Sequence, residues 1–436
     1  MKSTFPYLQI KDNNIFKQKM LNWASRFNIF CFLDNNEYSE GTVSFECILA
    51  AGCRRSVKLM PGTAYQQLRT FYDERPAWLF GHLGYDLKNE TEKLSSSRED
   101  KTGFGPGFFF EPEYIIRLRD NEWSVESDHA DPASIIAEIE MESAEAGAKM
   151  PYHIPLIQHS TTKPEYLRII NALKEHIVRG DCYEINFCQH FFAEDAVVDP
   201  IQLYHKLIHS SPVPFAALYK WEDKYCLCAS PERYLRKEGQ SVISQPIKGT
   251  SRRFLQDAAA DENSKESLRN SAKDKSENVM VVDLVRNDLS RICREGSVHV
   301  KELFGIYSFP QVHQMISTVK GLLKDGLHWT DAIRATFPMG SMTGAPKKRV
   351  MELIEQYEAT NRGLFSGSIG YVTPDGDFDF NVVIRSIFYN ASQQYLSFFA
   401  GGGITFYSNA EDEYEESLLK TKAIVESLGR RLEIRD

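Results

Sequence analysis

A chain of 436 residues, 42% hydrophobic and 25% charged, has ordinary globular usage and room for one large domain or two of medium size. Its net charge of -9, with no basic patch, argues against a nucleic-acid partner. No apolar run approaches membrane-spanning length and the N-terminus lacks a charged-then-apolar leader pattern, so a soluble cytoplasmic protein is expected. The eight cysteines (31, 47, 53, 182, 188, 226, 228 and 293) form no Cys-x-x-Cys pair and read as reduced, mostly buried residues.

Short β-like runs recur at 29–33, 43–49, 77–85 and 108–118, with a polar loop over 89–107 that reads as mobile. A helix is expected over 132–149, followed by a connector with Pro151, Pro155 and Pro164. That connector divides the sequence into a β-rich region, 1–150, and a second region, 160–430. The spacing of Tyr166, Ile169, Ile170, Leu173 and Ile177 predicts a helix over 165–179, ended by Gly180. Strands follow at 183–192, 215–219 and 225–229, with a helix at 201–209 and a long helix over 265–294. Strands at 368–372, 380–389 and 395–400 precede a last helix from 411. Many strands succeed one another without a helix between them, which predicts an α+β fold with antiparallel sheets.

Lys248 sits in Pro246-Ile247-Lys248-Gly249-Thr250-Ser251-Arg252-Arg253, between a β-like stretch and a Gly-Thr turn. Desolvated, such a lysine loses its proton and becomes a covalent nucleophile; the plainer alternative is a solvated turn residue. Asp274 and Glu277, and again Glu413 and Glu416, stand three apart, so each pair shares a helix face and repels unless a cation compensates. Two such faces together would suit Mg²⁺, whereas each alone is an ordinary solvated face, the second at an acid-favouring helix start. Gly401-Gly402-Gly403 after a strand, and the segment from Gly340 to Pro346 before a helix, are candidate anion sites. Arg385, in the apolar run Val382-Val383-Ile384-Arg385-Ser386, calls for a carboxylate or phosphate partner.

The combination is more specific than its parts. In order come Gly180-Asp181-Cys182-Tyr183, Ser230-Pro231-Glu232-Arg233, the Lys248 run, Ser276-Glu277-Asn278 and Asp283-Leu284-Val285-Arg286-Asn287-Asp288. After them come Gly340-Ser341-Met342-Thr343-Gly344-Ala345-Pro346-Lys347, Gly367-Ser368-Ile369-Gly370-Tyr371, Ile384-Arg385-Ser386, Gly401-Gly402-Gly403-Ile404 and Glu413-Tyr414-Glu415-Glu416. This set resembles the chorismate-binding enzymes (anthranilate, aminodeoxychorismate, isochorismate and salicylate synthases) over about residues 165–428. Pro-Ile-Lys-Gly-Thr resembles the aminodeoxychorismate branch, component I. Anthranilate synthases usually carry alanine at the lysine. Isochorismate and salicylate synthases usually have a base lysine where this chain has Glu184.

The resemblance implies two packed antiparallel sheets flanked by helices, with the active site between them. It implies Glu277 and Glu416 as Mg²⁺ ligands with Asp274 and Glu413 behind them, Glu232 as general acid and Lys248 as covalent nucleophile. Gly249, Thr250, Tyr371, Arg385, Gly401, Gly402 and Gly403 would hold the substrate's carboxylates. The implied reaction converts chorismate and ammonia to 4-amino-4-deoxychorismate, on the way to 4-aminobenzoate and folate. No cysteine lies in a Gly-x-Cys-x-Gly elbow, so a separate glutamine amidotransferase subunit is expected to supply the ammonia. The competing readings are an anthranilate synthase component I that tolerates Lys248, and a non-catalytic sensor of a chorismate-like ligand. Retention of the acid and metal carboxylates argues against the sensor.

Two positions depart from the family pattern. Glu184 replaces the usual glutamine after Gly-Asp-x-Tyr, adding a carboxylate near an anionic substrate. Gln314 stands three residues before Ser317, where histidine is usual, and His313 beside it reads as structural. The first 150 residues resemble the family's first domain only weakly and show no Leu-Leu-Glu-Ser run of the tryptophan-binding kind.

Overall fold

Strand Ile29–Asp34 sends Cys31 into one hydrophobic core and Phe30 and Phe32 into another, and strand Cys47–Ala51 alternates in the same way. Period-two alternation with both faces apolar is what a sheet covered on both sides requires. The computed structural model describes residues 10–38, 44–128, 130–144, 152–309 and 311–430, with the backbone of strand Ser3–Thr4. Val43, 145–149 and Pro151, which belong to expected elements, lie outside the described residues.

Two antiparallel sheets, of twelve and ten strands among the described residues, pack face to face around the first core. The larger runs through Tyr114–Arg119, Cys47–Ala51, Ile29–Asp34, Phe215–Trp221, Lys224–Ser230, Ser386–Asn390, Tyr395–Ile404 and Glu184–Ala193. The smaller runs from Ile247–Arg252 through Val312–Leu322, Ser241–Gln245, Arg233–Glu238, Phe378–Asn381, Ser368–Val372 and Leu79–Leu83 to Gly107–Glu111 and Arg55–Lys58. Helices Asn13–Ala24, Pro132–Met141, Pro200–Ser210 and Ala410–Ser427 cover the outer face of the larger sheet through the second core. This is the expected α+β architecture of two packed antiparallel sheets. No helix of the described residues is long and apolar enough to cross a membrane.

The chain changes sheet inside two of the expected strands, at Pro112 in the first and at Arg385 in the second. The expected strand over 108–118 is two strands, Gly107–Glu111 and Tyr114–Arg119, in different sheets. The expected strand over 380–389 likewise divides into Phe378–Asn381 and Ser386–Asn390, and Arg385 takes a left-handed φ of 51° at the crossing. The expected long helix is also two, Ala258–Asn270 and Ala272–Ile292. Ser271 is extended between them, and its hydroxyl accepts the Asp274 N–H at 3.2 Å, capping the second helix. Pro164, expected in the connector, lies in the first turn of helix Lys163–Val178.

The polar loop over 89–107 is tied down at several points. Lys88 is buried, and Ser96, the Ser97 N–H and Arg98 all bond to Glu355. Both sheets cross the connector near residue 150: Ile29–Asp34 pairs with Phe215–Trp221, and Leu79–Leu83 with Ser368–Val372.

Candidate active site

The sheets place a group of ionisable side chains at one end of the molecule. Lys248 comes from the edge strand Ile247–Arg252 of the smaller sheet, and its Nζ donates to Glu184 Oε1 at 2.6 Å. Glu184 opens strand Glu184–Ala193 of the larger sheet and is buried, and its Oε2 has no hydrogen-bond partner. Across that sheet lies the glycine run, inside strand Tyr395–Ile404 rather than after it, with Asn186 opposite Gly403 and Phe187 opposite Gly402. A Cβ on Gly403 would stand 2.5 Å from Glu184 Oε1 and 2.8 Å from Lys248 Nζ, so this glycine makes room for the pair. A Cβ on Gly402 would face Glu413 Oε2 at 3.3 Å and Lys420 Nζ at 3.4 Å.

Glu232 and Arg385 sit where the chain passes between the sheets. The two crossing segments are bonded to each other, Val382 N–H to Glu232 O at 3.0 Å and Ala229 N–H to Arg385 O at 3.3 Å. Burial pushes the Glu232 carboxyl up to about 7, against the pull of Ser341, Lys248 and Arg385. The Arg385 guanidinium is lowered by burial, with Glu232 acting in the other direction. Ser341, in the turn Gly340–Met342, was not singled out by itself from the sequence; its hydroxyl is buried and bears on the Glu232 carboxyl. The turn reaches Glu232 because Gly344–Ala345 pairs with Glu184–Ile185, where a Cβ on Gly344 would stand 2.0 Å from Glu184 O.

The protonation of Lys248 differs from the expectation. Burial alone lowers it, but Glu184, then Glu277 and Glu232, outweigh burial and hold the ammonium above the usual lysine range. A desolvated lysine among carboxylates keeps its proton.

The acidic pairs do come together. Glu277 is on helix Ala272–Ile292, Glu413 and Glu416 are on helix Ala410–Ser427, and Lys273 Nζ lies 4.0, 3.6 and 3.9 Å from the three in turn. Burial pushes Glu277 up to about 7, and its buried Oε1 has no hydrogen-bond partner, only the Lys273 ammonium at 4.0 Å. Burial raises Glu416 too, but Lys420 at 2.9 Å and Lys273 hold it below the usual range. Asp274 packs on Gly249, whose φ is +93° and whose Cβ would stand 3.0 Å from the carboxylate. Both lysines stand four residues from a glutamate they pair with, a helical spacing the sequence carried.

Among the described residues, no three His, Cys, Asp or Glu side chains are arranged to hold a metal ion by themselves. Mg²⁺ needs only one or two protein carboxylates, its other sites going to water and substrate oxygens. The orphaned Glu277 oxygen, facing the Glu413 and Glu416 helix across one exposed ammonium, fits that requirement.

Other residues read from the sequence lie elsewhere. Tyr371 packs against Phe45, Trp78 and Phe80 and lines a small cleft with Leu33, Pro214 and Asp379, and Lys248 is not part of that lining. Strand parity turns it there, since Ser368–Val372 alternates its side chains between faces. Thr250 is exposed, opposite Gln314 in the sheet register. His313 is buried between Ser308 Oγ at 2.8 Å and Asp261 Oδ1 at 3.2 Å, a structural histidine as expected. Asp288 of the second-helix motif forms a buried pair with Lys347 at 2.6 Å, anchoring helix Lys347–Tyr357.

Comparison with known proteins places these residues in a family. The model for the chorismate binding enzyme matches residues 43–426. Aminodeoxychorismate synthase component 1 of Salmonella typhimurium is 37% identical, over 80% of this chain and 76% of its own length. Anthranilate synthase component 1 of Saccharolobus solfataricus is 32% identical over 81% of each. The crystal structure of anthranilate synthase component I from Streptococcus pneumoniae superposes with a TM-score of 0.75 at 26% identity, covering 88% of this chain and 93% of that one. A family match that begins just before strand Cys47–Ala51 and ends on the last helix takes in every element that positions Lys248, Glu232 and the glutamates; the chain belongs to the chorismate-binding enzymes.

Proposed function

We propose that this enzyme aminates chorismate at ring carbon 4, giving 4-amino-4-deoxychorismate, by way of a covalent adduct on Lys248. The observation that carries the reading is Lys248 itself, enclosed beside Gly403 and within electrostatic reach of Glu232, an acid that keeps its proton to about pH 7. The relatives named aminodeoxychorismate synthase support the same product, at 37% identity for the Salmonella protein against 32% for the Saccharolobus anthranilate synthase.

Hydroxide is a poor leaving group, and Glu232 would protonate it as the bond to carbon 4 breaks. The Lys248 amine attacks ring carbon 2 while the ring double bonds shift toward carbon 4, and water leaves. Ammonia then attacks carbon 4, the double bonds shift back, and the bond from carbon 2 to the lysine nitrogen breaks. Two displacements through a covalent intermediate replace one harder step. Arg385, Gly249 and the amides of Gly401, Gly402 and Gly403 would hold the two carboxylates of the substrate.

Glu277 and Glu416 would hold Mg²⁺, with Glu413 and Asp274 behind them. Bound there, the ion would supply Lewis-acid polarisation of the ring carboxylate. The name component 1 borne by the Salmonella relative implies a second component. For this chain we infer a glutamine amidotransferase subunit that delivers ammonia.

Incubation with chorismate, Mg²⁺ and ammonium at high pH, followed by chromatography, is expected to give aminodeoxychorismate. Anthranilate as the product would sink the proposal. Intact-protein mass spectrometry without ammonia is expected to show one adduct, on the peptide holding Lys248, which Lys248→Ala loses.

A further inference from the structure

We propose that Glu184 is the base that takes the proton of Lys248 and so releases the amine for attack on the ring; this rests on the covalent reading above. Lys248 Nζ donates to Glu184 Oε1 at 2.6 Å, and both side chains are enclosed, at 11% and 3% exposure. An amine that must act as a nucleophile cannot do so as an ammonium, and its proton needs an acceptor already in place. Glu184 is the one acceptor that hydrogen-bonds the Lys248 nitrogen among the described residues.

The surroundings favour the transfer once the substrate is present. Around the pair stand Glu232 at the sheet crossing, Glu277 on helix Ala272–Ile292 and Glu416 on helix Ala410–Ser427, with Cys188 further along the strand of Glu184. None of these hydrogen-bonds Glu184 or Lys248. Arg385 bears on Glu232, and Lys273 and Lys420 bear on Glu416, so the positive charge near the pair is already engaged. Glu184 accepts a single hydrogen bond, and its buried Oε2 has no hydrogen-bond partner, so the carboxylate has an oxygen open to a proton beside the Lys248 nitrogen. A substrate with two carboxylates brings more negative charge to the same space. Proton transfer within the pair converts a buried ion pair into two neutral groups and removes the anion that would oppose that substrate.

The balance closes. The Lys248 ammonium gives one proton to Glu184, leaving an amine and a carboxylic acid. The amine forms a bond to ring carbon 2 and becomes a secondary ammonium, while the carbon 4 hydroxyl leaves as water with the proton of Glu232. Ammonia adds at carbon 4 as an ammonium, the bond to Lys248 breaks with its electron pair returning to nitrogen, and the neutral lysine recovers its proton from Glu184. Solvent reprotonates Glu232.

Glu184→Gln keeps the shape and removes the base. It also removes the charge that holds the ammonium, so a rate at one pH does not decide the role. Adduct formation in a single turnover, without ammonia, is followed by intact-protein mass spectrometry from about pH 6 to about pH 9, and each rate is divided by that of the unmodified enzyme, which cancels the Glu232 ionisation. The expected ratio is well below one at the acid end, roughly 100-fold for a lost base, and climbs about tenfold per pH unit as solvent takes over the deprotonation of Lys248. Glu184→Asp is expected to recover part of the acid-end rate. A ratio that is flat with pH, whether low, equal to one or higher, overturns the role of Glu184 while the adduct on Lys248 stands. No adduct on the unmodified enzyme would instead fail the covalent reading.

Discussion

Glu232 acts as an acid only while protonated, and burial has moved that boundary into the working range. With the carboxyl pushed up to about 7, the competent fraction is full below that pH and falls as pH rises through it. At a fixed concentration of free ammonia, kcat/KM for chorismate is expected to fall about tenfold per pH unit above the boundary. Glu232→Gln is expected to lower kcat by roughly 10²-fold or more and to flatten that limb, measured as initial rates against pH. A limb that persists in the variant would assign the ionisation to another group. The motif around Glu232 was legible in the sequence, but its pKa was not, since that comes from burial at the crossing between the sheets, offset by Ser341, Lys248 and Arg385 reaching it from separate parts of the chain. Lys248 shows the same limit with the opposite result. Desolvation alone predicted a free amine, and the carboxylate that reverses this arrives from another sheet.

The strand carrying Gly401, Gly402 and Gly403 and the two helices with acidic faces are the elements on which the proposed chemistry rests. Gly403→Ala would put a methyl group on Glu184 and Lys248, both ends of flexible side chains rather than backbone. The fold is therefore expected to survive, judged by circular dichroism, while adduct formation falls sharply. Normal turnover in this variant would mean that the pair can move aside at no cost. Glu277→Gln is nearly isosteric and is expected to abolish Mg²⁺-dependent turnover with the melting temperature little changed. Turnover that survives it, or that persists in excess chelator, would return these glutamates to the role of a solvated face.

Periodicity read these elements well where one face is apolar. Val281, Val282, Val285, Leu289 and Ile292 recur at helical spacing and are the buried face of their helix. It failed at Arg385 and at Ser271. An apolar run continues through a change of sheet, and a helical pattern continues through an extended cap, so neither break leaves a mark in hydrophobicity.

At the scale of the molecule, the source of nitrogen is the open exchange with a partner. Burial pushes the thiol of every one of the eight cysteines up, Cys182 to about 11 and Cys188 to about 12, so none is poised as the thiolate a glutaminase needs. The purified chain is expected to use ammonia and to be inert with glutamine until a glutaminase subunit is added. Its product is expected to stop at aminodeoxychorismate. Turnover with glutamine by the chain alone, or release of 4-aminobenzoate, would refute this division of labour. The α+β class with antiparallel sheets was legible from the succession of strands and the two packed sheets from the family resemblance, but the pairing was not, because nothing in a strand's own residues names its neighbour.

That pairing shapes how the molecule is made. As the chain leaves the ribosome, strand Ile29–Asp34 meets Cys47–Ala51 early, but its other neighbour, Phe215–Trp221, is synthesised far later. Strand Leu79–Leu83 must likewise wait for Ser368–Val372. Until then both apolar strands present an open edge, the kind of surface on which nascent chains join one another. The first 150 residues, cut from the rest, would keep those edges for good. Expression of that fragment is expected to yield aggregates, because completion of either sheet waits on the second half of the chain.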